Sequence, residues 1–247
     1  MSLAPEVFAG VHVVNVGNAC ARRKDQAVTL LRGALAEQLV DDLEAYFQPK
    51  HLKGVKVLMT AGPTYEAIDA VRGITNRSSG KMGYALARAA IEAGADVTLV
   101  SGPTALKPPA DAETVAVVSA QQMLEAVESR VEEADIFIAV AAVADYYVLN
   151  PSDNKIKKDA HILTLELAPN PDILANVTSL ETAPFCVGFA AESENIEEYA
   201  ELKRKRKHLP LIVANDARTA IGSDEAELVL LDDAGRHVLE TADKHTQ

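Results

Sequence analysis

The run Asp135 to Ala142, DIFIAVAA, is apolar at every position after its first. A strand with one wet face alternates apolar and polar residues. An unbroken apolar run reads instead as a strand buried on both faces, the situation of a central strand in a parallel sheet covered by helices. The chain before it supplies those partners. Lys56 to Thr60 reads as a strand, and Gly83 to Ala93 as a helix closed by Gly94 at its C-terminus. Asp96 to Ser101 is a second strand, stopped by Gly102 and Pro103. Val115 to Val118 is a third, and Ser119 is placed to N-cap a helix running to about Glu133. Such a βαβαβ succession with right-handed crossovers predicts the α/β class, a Rossmann-like doubly wound, mostly parallel sheet.

After Asp145 the rhythm changes. Tyr146 to Asn154 reads as loop, and Ile162 to Leu167 (ILTLEL) alternates like an antiparallel hairpin strand, predicting a hairpin or flap inserted into the parallel core. Asn170, Pro171 and Asp172 open a helix with proline in its first turn, running to about Val177. Phe185 to Ala190 is a further buried strand, Glu194 to Lys207 a helix with acids first and bases last, and Leu211 to Ala214 another strand. Glu227 to Asp232 and His237 to Glu240 flank the turn residues Asp233, Ala234 and Gly235 as a hairpin. Residues 1–50 stand apart: a short strand at Val11 to Val16 and an amphipathic helix at Ala27 to Phe47 are too little for an independent core. The expected organisation is an N-terminal extension, 1–50, and one nucleotide-binding domain, 51–247.

Several function classes drop out on composition. No apolar run approaches the roughly 18–20 residues that span a bilayer, and the start lacks the charged and apolar regions of a secretory signal. Cys20 and Cys186, in unlike contexts, fit reduced thiols in a cytoplasmic protein, each a small buried hydrophobe. A net charge of -12 opposes general nucleic-acid affinity, so an anionic ligand must be held by a local basic cluster.

The best-placed candidate for an anion site is the segment from Val57 to Gly83. Strand, polar loop, the small residues Ser78, Ser79 and Gly80, then helix is how α/β proteins present free N–H groups to phosphate. The dinucleotide fingerprint of three spaced glycines is absent, because Thr60 to Glu66 reads TAGPTYE, and this disfavours a nicotinamide dehydrogenase. Arg72, Asn76 and Arg77 in the same loop can bind phosphate or carboxylate. Lys155, Lys157 and Lys158 form a basic knot; a solvated charge run is the commoner meaning of such a patch, yet it is out of keeping with an acidic chain. Lys203 to Lys207 is already explained by the helix dipole. Asp145, behind the small residues Ala141, Ala142 and Ala144, follows the carboxyl end of a buried strand, where open sheets bind ligands. No His or Cys cluster has metal-ligand spacing, and no Ser/His/acid arrangement is visible, so neither a protein-bound zinc nor a nucleophilic enzyme is expected.

Taken together, TAGPTYEAIDAVRGITNRSSGKMG, AAVADYY, NKIKK, PNPDIL, VGFAAE, KRKRK and IVAND, in that order, resemble the phosphopantothenate-cysteine ligase part of the bifunctional bacterial coenzyme A biosynthesis proteins, over residues 52–240. The resemblance implies a ligase that uses CTP to activate the carboxylate of 4'-phosphopantothenate as an acyl-cytidylate, releasing pyrophosphate, before the amine of cysteine displaces CMP. It gives Asn76 and Arg72 the phosphopantothenoyl part, with Ser78, Ser79 and Gly80 at the same site, and makes Lys155 the activating lysine. Ala141 to Asp145 would read the base through backbone, and Pro171, Asp172, Ile173, Leu174, Phe189, Lys203 and Lys207 would contact the nucleotide. Mg2+ carried by the nucleotide is implied, with ATP the alternative to CTP. Also implied are a homodimer paired near Ile162 to Leu167 and, as a further partner to seek, a separate decarboxylase chain. No flavin is expected in 247 residues that leave no room for the flavin-dependent decarboxylase domain, and residues 35–50 look like the tail leading out of it. A degenerate nucleotide-binding protein of the same fold is the alternative reading.

Overall fold

The structure is a computed structural model that describes residues 49–158, 162–192, 194–216 and 225–243. The strand expected at Val11 to Val16, the helix at Ala27 to Phe47 and Cys20 lie outside these residues. The central sheet contains β1 (Lys56–Ala61), β4 (Asp96–Ser101), β5 (Glu113–Ala116), β6 (Ile136–Ala139), β9 (Phe185–Glu192), β10 (Leu211–Asp216), β11 (Glu225–Leu231) and β12 (Arg236–Asp243). Across the sheet the order is β12-β11-β10-β9-β6-β1-β4-β5. From β10 to β5 every pairing is parallel, whereas β11 and β12 pair antiparallel at one edge. Counted in chain order, the six parallel strands run 3-2-1-4-5-6, the doubly wound arrangement whose direction of winding reverses between β1 and β6.

Strand periodicity sorts the core into two faces. Val57 and Met59 of β1 pack with Ala87 and Ala90 of α1 (Lys81–Glu92) on one side. Leu58 points the other way, into a cluster with Phe137, Met123 and Val127 of α2 (Ala120–Glu128), Leu174 of α3 (Ile173–Thr178) and Ala200 of α4 (Ile196–Arg206). Burying side chains such as Phe137, with no exposed surface, contributes about 1.5–3 kcal/mol each. α2 begins on a capping box: Ser119 accepts from Gln122 N–H while the Gln122 side chain accepts from Ser119 N–H. Cys186 is buried, and its thiol is pushed up to about 11 by that burial. Among the described residues no helix is long and apolar enough to cross a membrane.

Several local expectations are corrected. The long polar loop after β1 contains a small hairpin, β2 (Tyr65–Ala67) with β3 (Gly73–Thr75). Tyr146 to Val148, expected as loop, is strand β7 and pairs with β8 (Leu167–Pro169). The alternating residues 162–166 form no strand: Ile162 is 94% exposed, so no apolar face holds that stretch against a partner. Val115 to Val118 shifts back to 113–116, because Val118 N–H is taken by the Gln122 side chain. The helix expected to reach Glu133 ends at Glu128, and a 3-10 turn follows at Val131–Glu133. α1 starts at Lys81 rather than Gly83, after Gly80 in the left-handed region at φ 81, where a Cβ would be strained. α3 starts after Pro171: Asp172 is its N-cap, since its carboxylate accepts from Ala175 N–H at 3.0 Å.

Candidate functional site

A cleft of about 560 Å³ opens at the carboxyl ends of β1 and β6, where the winding reverses. Its first wall is residues 76–83. Asn76 Nδ2 donates to the carbonyls of Ala142 (2.9 Å) and Val143 (3.0 Å), tying this wall to the floor. Ser78 Oγ accepts from Gly80 N–H at 3.3 Å and Ser79 Oγ from Lys81 N–H at 3.4 Å, so the two hydroxyls fold over the start of α1.

The floor is the segment 139–145. Thr60 Oγ1 accepts from Ala141 N–H at 3.3 Å, the Gly62 carbonyl from Ala142 N–H at 2.9 Å, and Thr64 Oγ1 from Ala144 N–H at 2.9 Å. Asn170 donates its side-chain amide to the Ala144 carbonyl at 2.8 Å and its N–H to the Asp145 carbonyl at 2.8 Å. These contacts fix residues 141–145, which follow β6 without belonging to a helix or strand. Among the described residues the N–H groups of Val143 and Asp145 and the carbonyls of Val140 and Ala141 have no hydrogen-bond partner, leaving donors and acceptors side by side on a rigid floor.

The opposite wall joins α3 to α4. Lys207 Nζ pairs with Asp172 at 2.7 and 2.8 Å. Burial works against the Asp172 carboxylate, but the Lys207 hydrogen bond and the Ala175 N–H hold it below the usual carboxylate range. Lys203 Nζ donates to the Phe189 carbonyl at 2.7 Å. Burial lowers the Lys203 pKa, and the neighbouring Lys207 cation adds to that. An anion entering here would meet a cation that the fold itself holds at a cost.

The structure therefore gathers Asn76, Ser78, Ser79, Gly80, Ala141, Asp145, Pro171, Asp172, Ile173, Leu174, Phe189, Lys203 and Lys207 around one cleft. It does not bring Arg72 or Lys155 into that lining. Arg72 lies on Asp69 and donates to the Ile156 carbonyl at 2.9 Å; Lys155 is exposed on the loop beside it. Arg77, an anion-ligand candidate beside Asn76 in the sequence, lines the cleft, as does Asn215, which the sequence did not single out. For Asn215 the available signal was its place at the carboxyl end of a parallel strand. Thr60 and Thr64, which brace the floor, carried none, being small hydroxyl residues in apolar or turn context.

Known proteins resemble this chain closely. The coenzyme A biosynthesis bifunctional protein CoaBC of Vibrio vulnificus (strain YJ016) is 52% identical over 182 residues, 72% of this chain and 45% of that protein. The protein of the same name from Vibrio cholerae is 49% identical over 213 residues, 84% of this chain and 53% of that one. The chain thus spans about half the length of the curated relatives it matches. The crystal structure of the C-terminal domain of a CoaBC protein superposes with a TM-score of 0.69 at 41% identity, covering 80% of this chain and 91% of that one. The DNA/pantothenate metabolism flavoprotein of Streptococcus pneumoniae gives 0.68 at 25% identity, covering 78% and 94%. Residues 52–247, sheet, cleft and both walls included, match the DNA/pantothenate metabolism flavoprotein C-terminal domain family, and the chain belongs to it.

Proposed function

We propose that this chain is a phosphopantothenate-cysteine ligase acting in coenzyme A biosynthesis. The reading rests on one observation above all: the cleft of a chain about 50% identical to CoaBC proteins places the Asn76 wall opposite the Lys203 and Lys207 wall across a rigid floor. In the proposed reaction a carboxylate oxygen of 4'-phosphopantothenate attacks the α-phosphorus of CTP, and pyrophosphate leaves. The cysteine amine then attacks the acyl carbon of the resulting acyl-cytidylate. CMP leaves with the bonding electrons of the acyl–oxygen bond, the amine loses its proton, and an amide results.

Lys203 and Lys207 take the phosphates, Lys207 by exchanging Asp172 for the nucleotide, as charge-assisted bonds to phosphate allow. The Val143 N–H and Ala141 carbonyl offer a cytosine edge one donor and one acceptor. Asn76 handles the acyl part, Ser78 to Gly80 close over it, Arg72 holds Ile156 beside Lys155, and Lys155 brings positive charge to the transferring phosphorus. Asp145 and Asp172 are the carboxylates facing the cleft, and Mg2+ would enter on the triphosphate oxygens, where it neutralises the departing pyrophosphate. The reading places the protein in the cytoplasm as a homodimer, a second copy covering the exposed Ile162, Leu163 and Leu167.

The test is pyrophosphate release with CTP and ATP in parallel, with and without phosphopantothenate. Release that needs phosphopantothenate and prefers CTP is expected. Tight CTP binding without release would replace the ligase by a nucleotide-binding protein.

A further inference from the structure

The tip of the β2–β3 hairpin holds a carboxylate with no part in the cleft. The Asp69 side chain is wholly buried, at 0% exposure, and accepts five hydrogen bonds. Oδ1 takes the N–H groups of Val71 (2.8 Å) and Arg72 (2.9 Å), which shape the hairpin turn. Oδ2 takes Arg72 Nε at 3.0 Å, Arg72 Nη2, and the N–H of Ile156 at 3.0 Å. A turn needs only the first pair, and that pair could be made at the surface. Burying the second oxygen serves a contact 87 residues away in the chain.

The same Nη2 donates to the Ile156 carbonyl at 2.9 Å, so the Asp69–Arg72 pair holds both backbone groups of Ile156. Four residues earlier, Ser152 N–H donates to the Ile68 carbonyl at 3.0 Å, and Ser152 Oγ closes a turn onto Asn154. Lys155 lies between these two anchor points, with its side chain exposed. The far end of the hairpin carries the anchor. Its near end, β3, leads directly into Asn76.

We propose that Asp69 is a positioning residue: with Arg72 it fixes the Ser152 to Ile156 loop on the hairpin, and through that loop it sets where Lys155 stands relative to Asn76. The Arg72 guanidinium beside it keeps Asp69 ionised well below the usual carboxylate range, so the anchor persists at neutral pH. The functional half of this inference rests on the ligase reading above; the anchor itself does not.

Asp69→Asn tests both halves, since the amide keeps the shape but turns a donor toward Arg72 or Ile156. In limited trypsinolysis of the full chain, cleavage after Lys155 should be about tenfold faster in the variant, the loss of a bond to a charged group, with cleavage after the exposed Lys53 unchanged. Equal cleavage after Lys155 in both proteins would overturn the anchor. If Asp69→Asn does not fold, Arg72→Lys, which loses the bridge to Ile156, gives the same readout.

In turnover, Asp69→Asn should lower kcat for pyrophosphate release about tenfold with the nucleotide KM within about twofold. The Lys155→Gln variant should lower kcat for release about 10²–10³-fold, to a residual rate that can still be measured, and adding Asp69→Asn to it should cost nothing more, because both changes act through one group. Fully additive losses would overturn the route through Lys155. A wild-type chain that releases no pyrophosphate, while the variant is still cut faster after Lys155, would remove the ligase reading and leave the anchor standing.

Discussion

Lys203 and Lys207 are four residues apart and so share one face of the chain as α4 ends. Each already has a partner, and the partners differ in kind. Lys207 is hydrogen-bonded to a carboxylate, Asp172, whereas Lys203 donates to a neutral acceptor, the Phe189 carbonyl, and feels the Glu192 and Asp172 carboxylates only through space. A buried cation with a neutral acceptor is a cost to folding and a gain to anion binding. Replacing Lys203 by Met should therefore weaken CTP binding by at least about tenfold, the value of a charge-assisted bond, while thermal stability stays level or rises. Calorimetric titration with CTP and a melting curve check the two halves; a lower melting temperature with unchanged affinity would make the lysine structural. This pair was not legible as a site in the sequence, because bases at a helix C-terminus complement its dipole whether or not a ligand exists. Asn76 was legible, since it stands in a long loop before a helix start. Arg72 looked like a ligand residue for the same reason, and only the structure shows its guanidinium committed to Asp69 and Ile156.

Helix α1 forms the wall above the cleft, and its height above the sheet depends on Gly83. A Cβ built there would lie 2.6 Å from the Ala61 Cβ and 3.2 Å from its Cα, so the helix rests on β1 at backbone distance. The neighbour is main chain and a methyl group, with no flexible end to yield. Gly83→Ala should lift α1, costing about 1–3 kcal/mol as overpacking does. For a domain of this size that lowers the melting temperature by about 2–4 °C per kcal/mol, and the substrate affinity of the Ser78 to Gly80 wall should fall with it. An unchanged melting temperature would show slack between helix and strand. Elements with strong periods were legible along the chain: β1, β4, β6, β9, α1, α2 and α4 lie where the patterns put them, within a few residues at their ends. The three-residue strands were not. β2 with β3 and β7 with β8 are too short to show a period, and their pairing is set by tertiary contacts such as Tyr65 N–H to the Val118 carbonyl. Residues 162–165 show the converse, a strand-like alternation that pairs with no strand among the described residues.

The doubly wound order fixes the cleft between β1 and β6, and paired charged side chains tie the elements of the domain together. Asp69 to Arg72 ties the hairpin, Asp172 to Lys207 ties α3 to α4, Glu201 to Arg204 braces α4, and Asp232 with His237 closes the β11–β12 turn. All four carboxylates are held below their ordinary values: Asp69 by Arg72, Glu201 by Arg204, and Asp172 and Asp232 against the pull of burial by Lys207 and His237. The folded state therefore binds protons less readily than the unfolded chain. Such groups contribute stability that is present above the unfolded values near 3.8 and 4.5 and is lost as pH falls through the lower folded ones. The net charge of -12 pulls the other way, since protonation relieves self-repulsion on acidification. At physiological ionic strength, surface charges more than about 8 Å apart are largely screened, whereas the hydrogen-bonded carboxylates are not, so the local pairs decide the outcome. The urea midpoint measured at about 0.15 M salt should hold level from neutral pH to about pH 5 and fall below about pH 4. At the alkaline end Cys186, raised from 9.0 to about 11, contributes stability that is full below the unfolded value and lost as pH climbs through the folded one. A midpoint that rises on acidification through pH 4 would mean that charge repulsion across the whole molecule outweighs these local pairs.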